Sequence, residues 1–214
     1  MSFRVLYTAL IVLSAPAAAV AQGVSDSGTF VTRRGSDTVA TEQFARTATR
    51  LEGTLALRNP KRTSERWTAV VAPDATLPLI EVTVREGTDS AGRLARVTQR
   101  ARVIFKEDSA AVDDVGGSGI QTRLFGTEAG ALPYLNLSFA LLEQAVRRAR
   151  VAAENRIPFF NLGGGQTVGA QLSPLGKDSL LLEIGNVRYE LRVDAAGRLL
   201  GGRIPAQGVV VERR

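Results

Sequence analysis

The stretch IGNVRYELRVDAAGRLLGGRI, Ile184 to Ile204, decides how the whole chain is read. Val187, Tyr189, Leu191 and Val193 alternate with Arg188, Glu190, Arg192 and Asp194. That period of two belongs to a strand with one face on a core and the other in water. Gly185-Asn186 sits between Ile184 and Val187, and both residue types tolerate positive φ, so the pair predicts a two-residue hairpin turn. Asp194-Ala195-Ala196-Gly197 predicts a longer turn before a strand over Arg198–Ile204. Connectors this short join antiparallel neighbours.

The same pattern recurs upstream. Ile80, Val82 and Val84 oppose Glu81, Thr83 and Arg85, and Leu51, Gly53, Leu55 and Leu57 oppose Glu52, Thr54, Ala56 and Arg58. Gly35-Ser36 predicts a turn between strands over Phe30–Arg34 and Thr38–Thr47. About ten strands are expected, too many for one flat sheet, so the sheet must curve or close. One segment breaks the period: Leu135, Phe139, Leu142, Val146, Ala149 and Ala153 recur at helical spacing. They predict a helix over about 134–154, with Pro133 at its start and Asn155 and Pro158 at its end. Arg147, Arg148 and Arg150 are expected on its wet face. The Gly- and Asp-rich stretch Ser109–Gly130 reads as a link from the first strand group to this helix. The fold class is therefore mainly β (α+β), a large curved antiparallel sheet or open barrel with one amphipathic helix packed on it, in one domain over residues 22–214.

The N-terminus reads as an address. Arg4 precedes the apolar run Val5–Ser14, and the small residues Ala15–Ala21 end in Ala19-Val20-Ala21, an A-x-A cleavage signal. Cleavage after Ala21 would make the protein periplasmic or secreted, and no later stretch is long and apolar enough to span a membrane. The 214 residues contain no Cys and no His. That removes Ser-His-Asp and Cys-His catalysis, histidine and thiolate metal sites, and every disulfide. Hydrophobic residues at 44% and charged residues at 22% mark ordinary globular material, with a net charge of +6.

Short motifs are weak. Asp26-Ser27-Gly28-Thr29 has the D-[ST]-G-[ST] spelling of aspartic proteases, but it lies near a frayed end and lacks a second such loop. Gly116-Gly117-Ser118-Gly119-Ile120 misses the final Gly of a nucleophile elbow and has no base, so it reads as a turn. Gly163-Gly164-Gly165-Gln166-Thr167-Val168-Gly169 spells neither phosphate-loop nor dinucleotide fingerprint. Asp113-Asp114 offers two oxygen donors where a hard cation needs six to eight. No enzyme activity, metal or cofactor is expected.

The basic residues are more informative. Arg96, Arg100, Arg102 and Lys106 are spaced to share one strand face, opposite Ala95, Val97, Ala101, Val103 and Phe105. Such a row can meet phosphates, anionic polysaccharide or lipid headgroups, or simply protect a solvated face. Aromatic residues are 6% and none interleave with the arginines, which argues against nucleic acid.

Strands, one amphipathic helix, then strands again, behind a leader, resemble the half-barrel of periplasmic lipoprotein carriers of the LolA and LppX type. The closing stretch VRYELRVDAAGRLLGGRIPAQGVVVER (Val187–Arg213) is similar to the tails of exported bacterial proteins of the DUF3108 sort. The resemblance implies an open barrel whose concave face is closed by the helix, with an apolar groove for acyl chains. Under that reading Phe139, Leu142 and Val146 on the helix, with Trp67, Ile80, Val82, Tyr189 and Leu191 on strands, line the space between helix and sheet. The expected partner is a lipid or other amphiphile bound by a monomer without catalysis. The alternative is an envelope structural protein meeting an anionic polymer through the basic face.

Overall fold

The computed structural model describes residues 26–58, 62–87, 96–116 and 119–214. The expected leader with its cleavage point, Ala95, and the Gly117-Ser118 pair lie outside them. The first strands are β1 (Asp26–Arg34), β2 (Asp37–Arg46), β3 (Arg50–Leu57), β4 (Thr63–Val70) and β5 (Leu79–Glu86). β6 (Arg96–Phe105), β7 (Ser109–Gly116), β8 (Gly119–Gly126) and β9 (Leu132–Tyr134) lead to the helix α1 (Phe139–Ala152). β10 (Arg156–Asn161), β11 (Thr167–Gly176), β12 (Ser179–Ile184), β13 (Val187–Val193), β14 (Leu199–Ile204) and β15 (Val209–Arg213) complete the chain.

All of these strands lie in one sheet, in the order β8-β7-β6-β5-β4-β3-β2-β1-β15-β14-β13-β12-β11-β10-β9. The chain therefore makes two antiparallel meanders that meet where β1 pairs with β15. Among the described residues only β9 and β10 are parallel neighbours, and they are the pair joined through α1, since a parallel pair needs a crossover connection. Gly185-Asn186 turns between β12 and β13 with Gly185 at φ 57°, as the hairpin requires.

The sheet curls until its two ends approach without closing the ladder. Phe160 of β10 lies 5.8 Å from Phe125 of β8 and 5.7 Å from Phe105 of β6, ring centroid to centroid. The Thr167 hydroxyl donates to Thr127 at 2.7 Å, and Arg156 grips Glu128 with two bonds of 2.5 and 2.9 Å. The accumulated twist of a sheet this wide brings its ends together.

Helix α1 fills the concavity. Its first residues, Phe139 to Val146, are buried all the way round, because the sheet surrounds them. Phe139, Phe30, Trp67, Leu51, Ile80, Phe159 and Phe160 share one core, and each such side chain contributes about 1.5–3 kcal/mol by leaving water. Trp67 lies flat across Gly53 on the neighbouring strand: a Cβ on Gly53 would sit 2.5 Å from the Trp67 ring, so only glycine fits.

Four expectations change. The sheet has fifteen strands among the described residues rather than about ten. Ser109–Gly130 is not a link, since most of it is β7 and β8. The helix begins at Phe139 rather than near 134, because residues Leu132–Tyr134 pair with β10 as β9. Asp26 is held in β1 rather than frayed.

Candidate functional site

The eight residues expected to line a ligand space are all buried in the core: Phe139, Leu142 and Val146 from α1, and Trp67, Ile80, Val82, Tyr189 and Leu191 from the sheet. They pack with their neighbours in one buried cluster. Two of them reach openings. Val146 touches a cleft of about 160 Å³ between the end of α1 and β11–β12. Leu191 adjoins a larger groove, described below.

The helix also carries buried charge that the apolar stripe did not announce. Glu143 is fully buried, yet its carboxylate accepts from the Leu199 backbone N–H at 2.9 Å, from Arg147 at 3.0 Å and from Arg213 at 3.0 Å. Arg46 lies 3.5 Å from it and also donates to Gln144. Asp26 closes the cluster, 2.6 Å from Arg213 and 3.3 Å from Arg147. Burial pulls the Arg46 guanidinium down to about 10, opposed by the nearby Glu143 charge. Arg147 was expected on the wet face; it is drawn inward because Glu143, one turn before it, needs cations in the interior.

Glu42 of β2 caps the helix from outside it. Its two oxygens accept from the Ser138 hydroxyl at 2.5 Å and from the Ala140 N–H at 2.9 Å, the second a backbone donor that a helix start leaves open. Burial pushes its carboxyl up to about 7, against the pull of those two bonds. Glu42 and Glu143 are thus held by hydrogen bonds inside the fold, while Arg46 keeps its Nε and one terminal nitrogen buried without a hydrogen-bond partner among the described residues.

The basic row is divided by a bulge. Val84 faces Gln99 but Arg85 faces Val97, so Thr98 is an extra residue in β6. The register then pairs Arg96 with Glu86 on the inner face, while Arg100 and Arg102 stay on the outer face opposite Thr83 and Glu81. Thus the four basic residues do not form one row. Arg102 is committed to Asp113, with contacts of 2.7 and 3.1 Å, and Thr122 donates to the same carboxylate at 2.7 Å. Those partners hold Asp113 below the usual carboxylate range, the Thr122 hydroxyl bond first and Arg102 next. Asp114 points to the other face and meets Arg123 at 2.5 Å, so the adjacent acids do not converge. Arg100 and Lys106 are exposed and without an ion-pair partner among the described residues.

The groove beside Leu191 lies over β12–β15 and encloses about 610 Å³. Small-molecule sites occupy about 300–1,000 Å³. Gly202 of β14 lies in its lining, between Leu191 of β13 and Val211 of β15. Next to it Gly201 has φ 147°, and a Cβ there would lie 2.4 Å from the Val211 carbonyl oxygen, so only glycine lets β15 approach this closely. Arg192 reaches across Gly201, its guanidinium 3.3 Å from where that Cβ would be. Glu190 is taken by Arg203 at 2.5 Å and Glu212 faces Arg33 at 4.0 Å. Arg192 has no such partner among the described residues. Leu175 and Val210, each 51% exposed, add apolar walls. The sequence signal near this site is the Gly-Gly pair inside a strand, which marks the irregularity in the β13–β14 register and the close approach of neighbouring backbone.

No protein-family model matches the chain, and no curated protein matches it. Among solved structures it is similar to a DUF1089 family protein from Pseudomonas aeruginosa, with a TM-score of 0.56 at 15% identity over 80% of this chain and 92% of that one. A second similar structure is a beta-barrel-like protein of the domain of unknown function DUF1849 from Brucella abortus, with a TM-score of 0.49 at 8% identity over 90% and 96% of the two chains. The similarity to the DUF1089 family structure is one of fold, in line with the barrel-like architecture expected; neither of the two is of the LolA, LppX or DUF3108 type.

Proposed function

We propose that this chain is an exported, non-enzymatic binding module that takes an amphiphilic or anionic ligand in the outer groove over β12–β15. The reading rests on one observation: the Arg192 guanidinium, without an acid partner among the described residues, stands beside exposed Leu175 and Val210 in a hollow of about 610 Å³. A cation next to an apolar wall suits a ligand with an anionic head and a hydrocarbon body. The lipid-carrier reading is thereby moved from inside the barrel to its outer surface. The proposed export, with a mature domain over residues 22–214 in the periplasm or outside the cell, is supported by the leader pattern of residues 1–21.

Titration calorimetry with sodium myristate and, separately, myristyl alcohol tests this. Binding of the acid, at least tenfold weaker for the alcohol and for Arg192→Gln, supports the site. Equal binding by Arg192→Gln, or no binding together with an organic extract free of lipid by mass spectrometry, refutes it.

The second reading, an envelope interaction protein using its basic face, is favoured by Arg100, which is exposed and has no ion-pair partner among the described residues. Loss of binding to anionic envelope polymer in Arg100→Glu, with groove binding intact, would select it.

A further inference from the structure

The two ends of the sheet are protected unequally. β9 has three residues, one of them Pro133, and the Tyr134 carbonyl accepts from the Leu162 N–H at 3.1 Å. β8 runs for eight residues and is hydrogen-bonded only to β7 among the described residues. It carries no proline, lysine or acid, the devices that blunt an edge strand. Its one charged residue, Arg123, is already taken by Asp114 of its own hairpin. On its outer face Ile120 is 62% and Leu124 76% exposed, beside Val115 of β7 at 42%.

We propose that β8 pairs antiparallel with β8 of a second copy of this chain about a two-fold axis at Thr122. The pattern of the strand is complementary to itself in that register and mismatched in neighbouring ones. Antiparallel pairing about Thr122 sets Ile120 against Leu124 of the other copy, and Gln121 against Arg123. Within each hairpin Ile120 already faces Val115 and Leu124 faces Ala111. The dimer therefore builds two continuous apolar rows across four strands, each running Val115, Ile120, Leu124, Ala111. Between them lie the two Thr122 side chains, each flanked by its own Asp113. No like charges face each other across the axis. A slip by one residue would set apolar side chains on the polar face.

A single strand pair with these rows is smaller than the total of about 1,200–2,000 Å² buried in stable complexes, so the dimer is reversible, with a dissociation constant in the micromolar range. It replaces the expected monomer and leaves the β12–β15 groove, on the opposite meander, free.

The chain has no cysteine, which makes single-thiol cross-linking direct. Residues facing each other in antiparallel strands have Cα atoms about 4.5–5.5 Å apart, within disulfide reach. Oxidised full-length Thr122→Cys should form a covalent dimer. Leu124→Cys should not, because its two thiols would lie about 13 Å apart along the strands. Sedimentation equilibrium should show monomer and dimer exchanging with concentration, and Leu124→Lys, at an exposed site, should raise the dissociation constant at least tenfold without changing the thermal melt. Monomer at every concentration up to about 0.5 mM, equal cross-linking of both cysteine variants, or an unchanged constant in Leu124→Lys overturns the proposal.

Discussion

Asp26 and Arg213, on the first and last strands, meet at 2.6 Å across the β1–β15 pair. The same guanidinium reaches 3.0 Å to Glu143 on the helix, so one arginine ties the start of the fold, its end and its plug together.

Removing the acid at the centre of this cluster should be costly. Glu143→Ala leaves Arg46, Arg147 and Arg213 without their common partner in the interior. Breaking a buried pair in this way costs about 3–5 kcal/mol. Urea unfolding should show that loss, and Asp26→Ala, at the wetter rim of the cluster, should show less.

Glu42 gives stability a pH dependence. Its folded pKa of about 7 lies above the ordinary 4.5, so the native state keeps a proton that the unfolded chain releases in that interval. Its stabilising contribution is complete below about pH 4.5 and is lost as pH rises through 7. Relative to Glu42→Gln, which cannot titrate, the native protein should lose on the order of 3 kcal/mol between pH 4.5 and 8. Parallel chemical denaturation curves for the two proteins, unchanged in separation across that range, would contradict the assignment.

Trp67 is the chain's one tryptophan, so its fluorescence reports directly on its contact with Gly53. Gly53→Ala forces the indole away and should cost about 1–3 kcal/mol by overpacking. A shifted emission maximum should accompany the loss. A spectrum and midpoint equal to the parent's would show that the ring does not rest on that glycine.

Phe160 holds the two ends of the sheet together. Phe160→Ala should cost about 3–5 kcal/mol. Hydrogen exchange should rise first in β6 to β8, which lose their contact with β10, while β1 and β15 keep their protection.

Much of the fold was legible because alternation and helical spacing are written directly in residue order. The hairpin at Gly185-Asn186, the turn at Gly35-Ser36 and the apolar stripe from Phe139 to Ala149 all stand where the sequence puts them. Strands that break the alternation were hidden. β10 is buried from Ile157 to Phe160, and β8 is exposed almost throughout, so neither shows two contrasting faces. The basic row was misread because the bulge at Thr98 reverses which residues share a face, and a single inserted residue leaves no mark in composition. Glu143 and Gln144 looked like solvent residues. Their burial depends on Arg46, which is about a hundred positions away in the chain and adjacent only after folding. The groove depends likewise on the meeting of β13, β14 and β15, which no local pattern specifies.

The pairing of β1 with β15 also orders events in time. Phe30 faces Arg213, so the earliest described strand waits, through the synthesis of nearly the whole chain, for its second neighbour. Until those last residues exist the two meanders cannot join, and closing so long a loop is slow. The topology thus makes the joining of the two meanders the step that must await Val209–Arg213, however early the strands of the first meander pair among themselves.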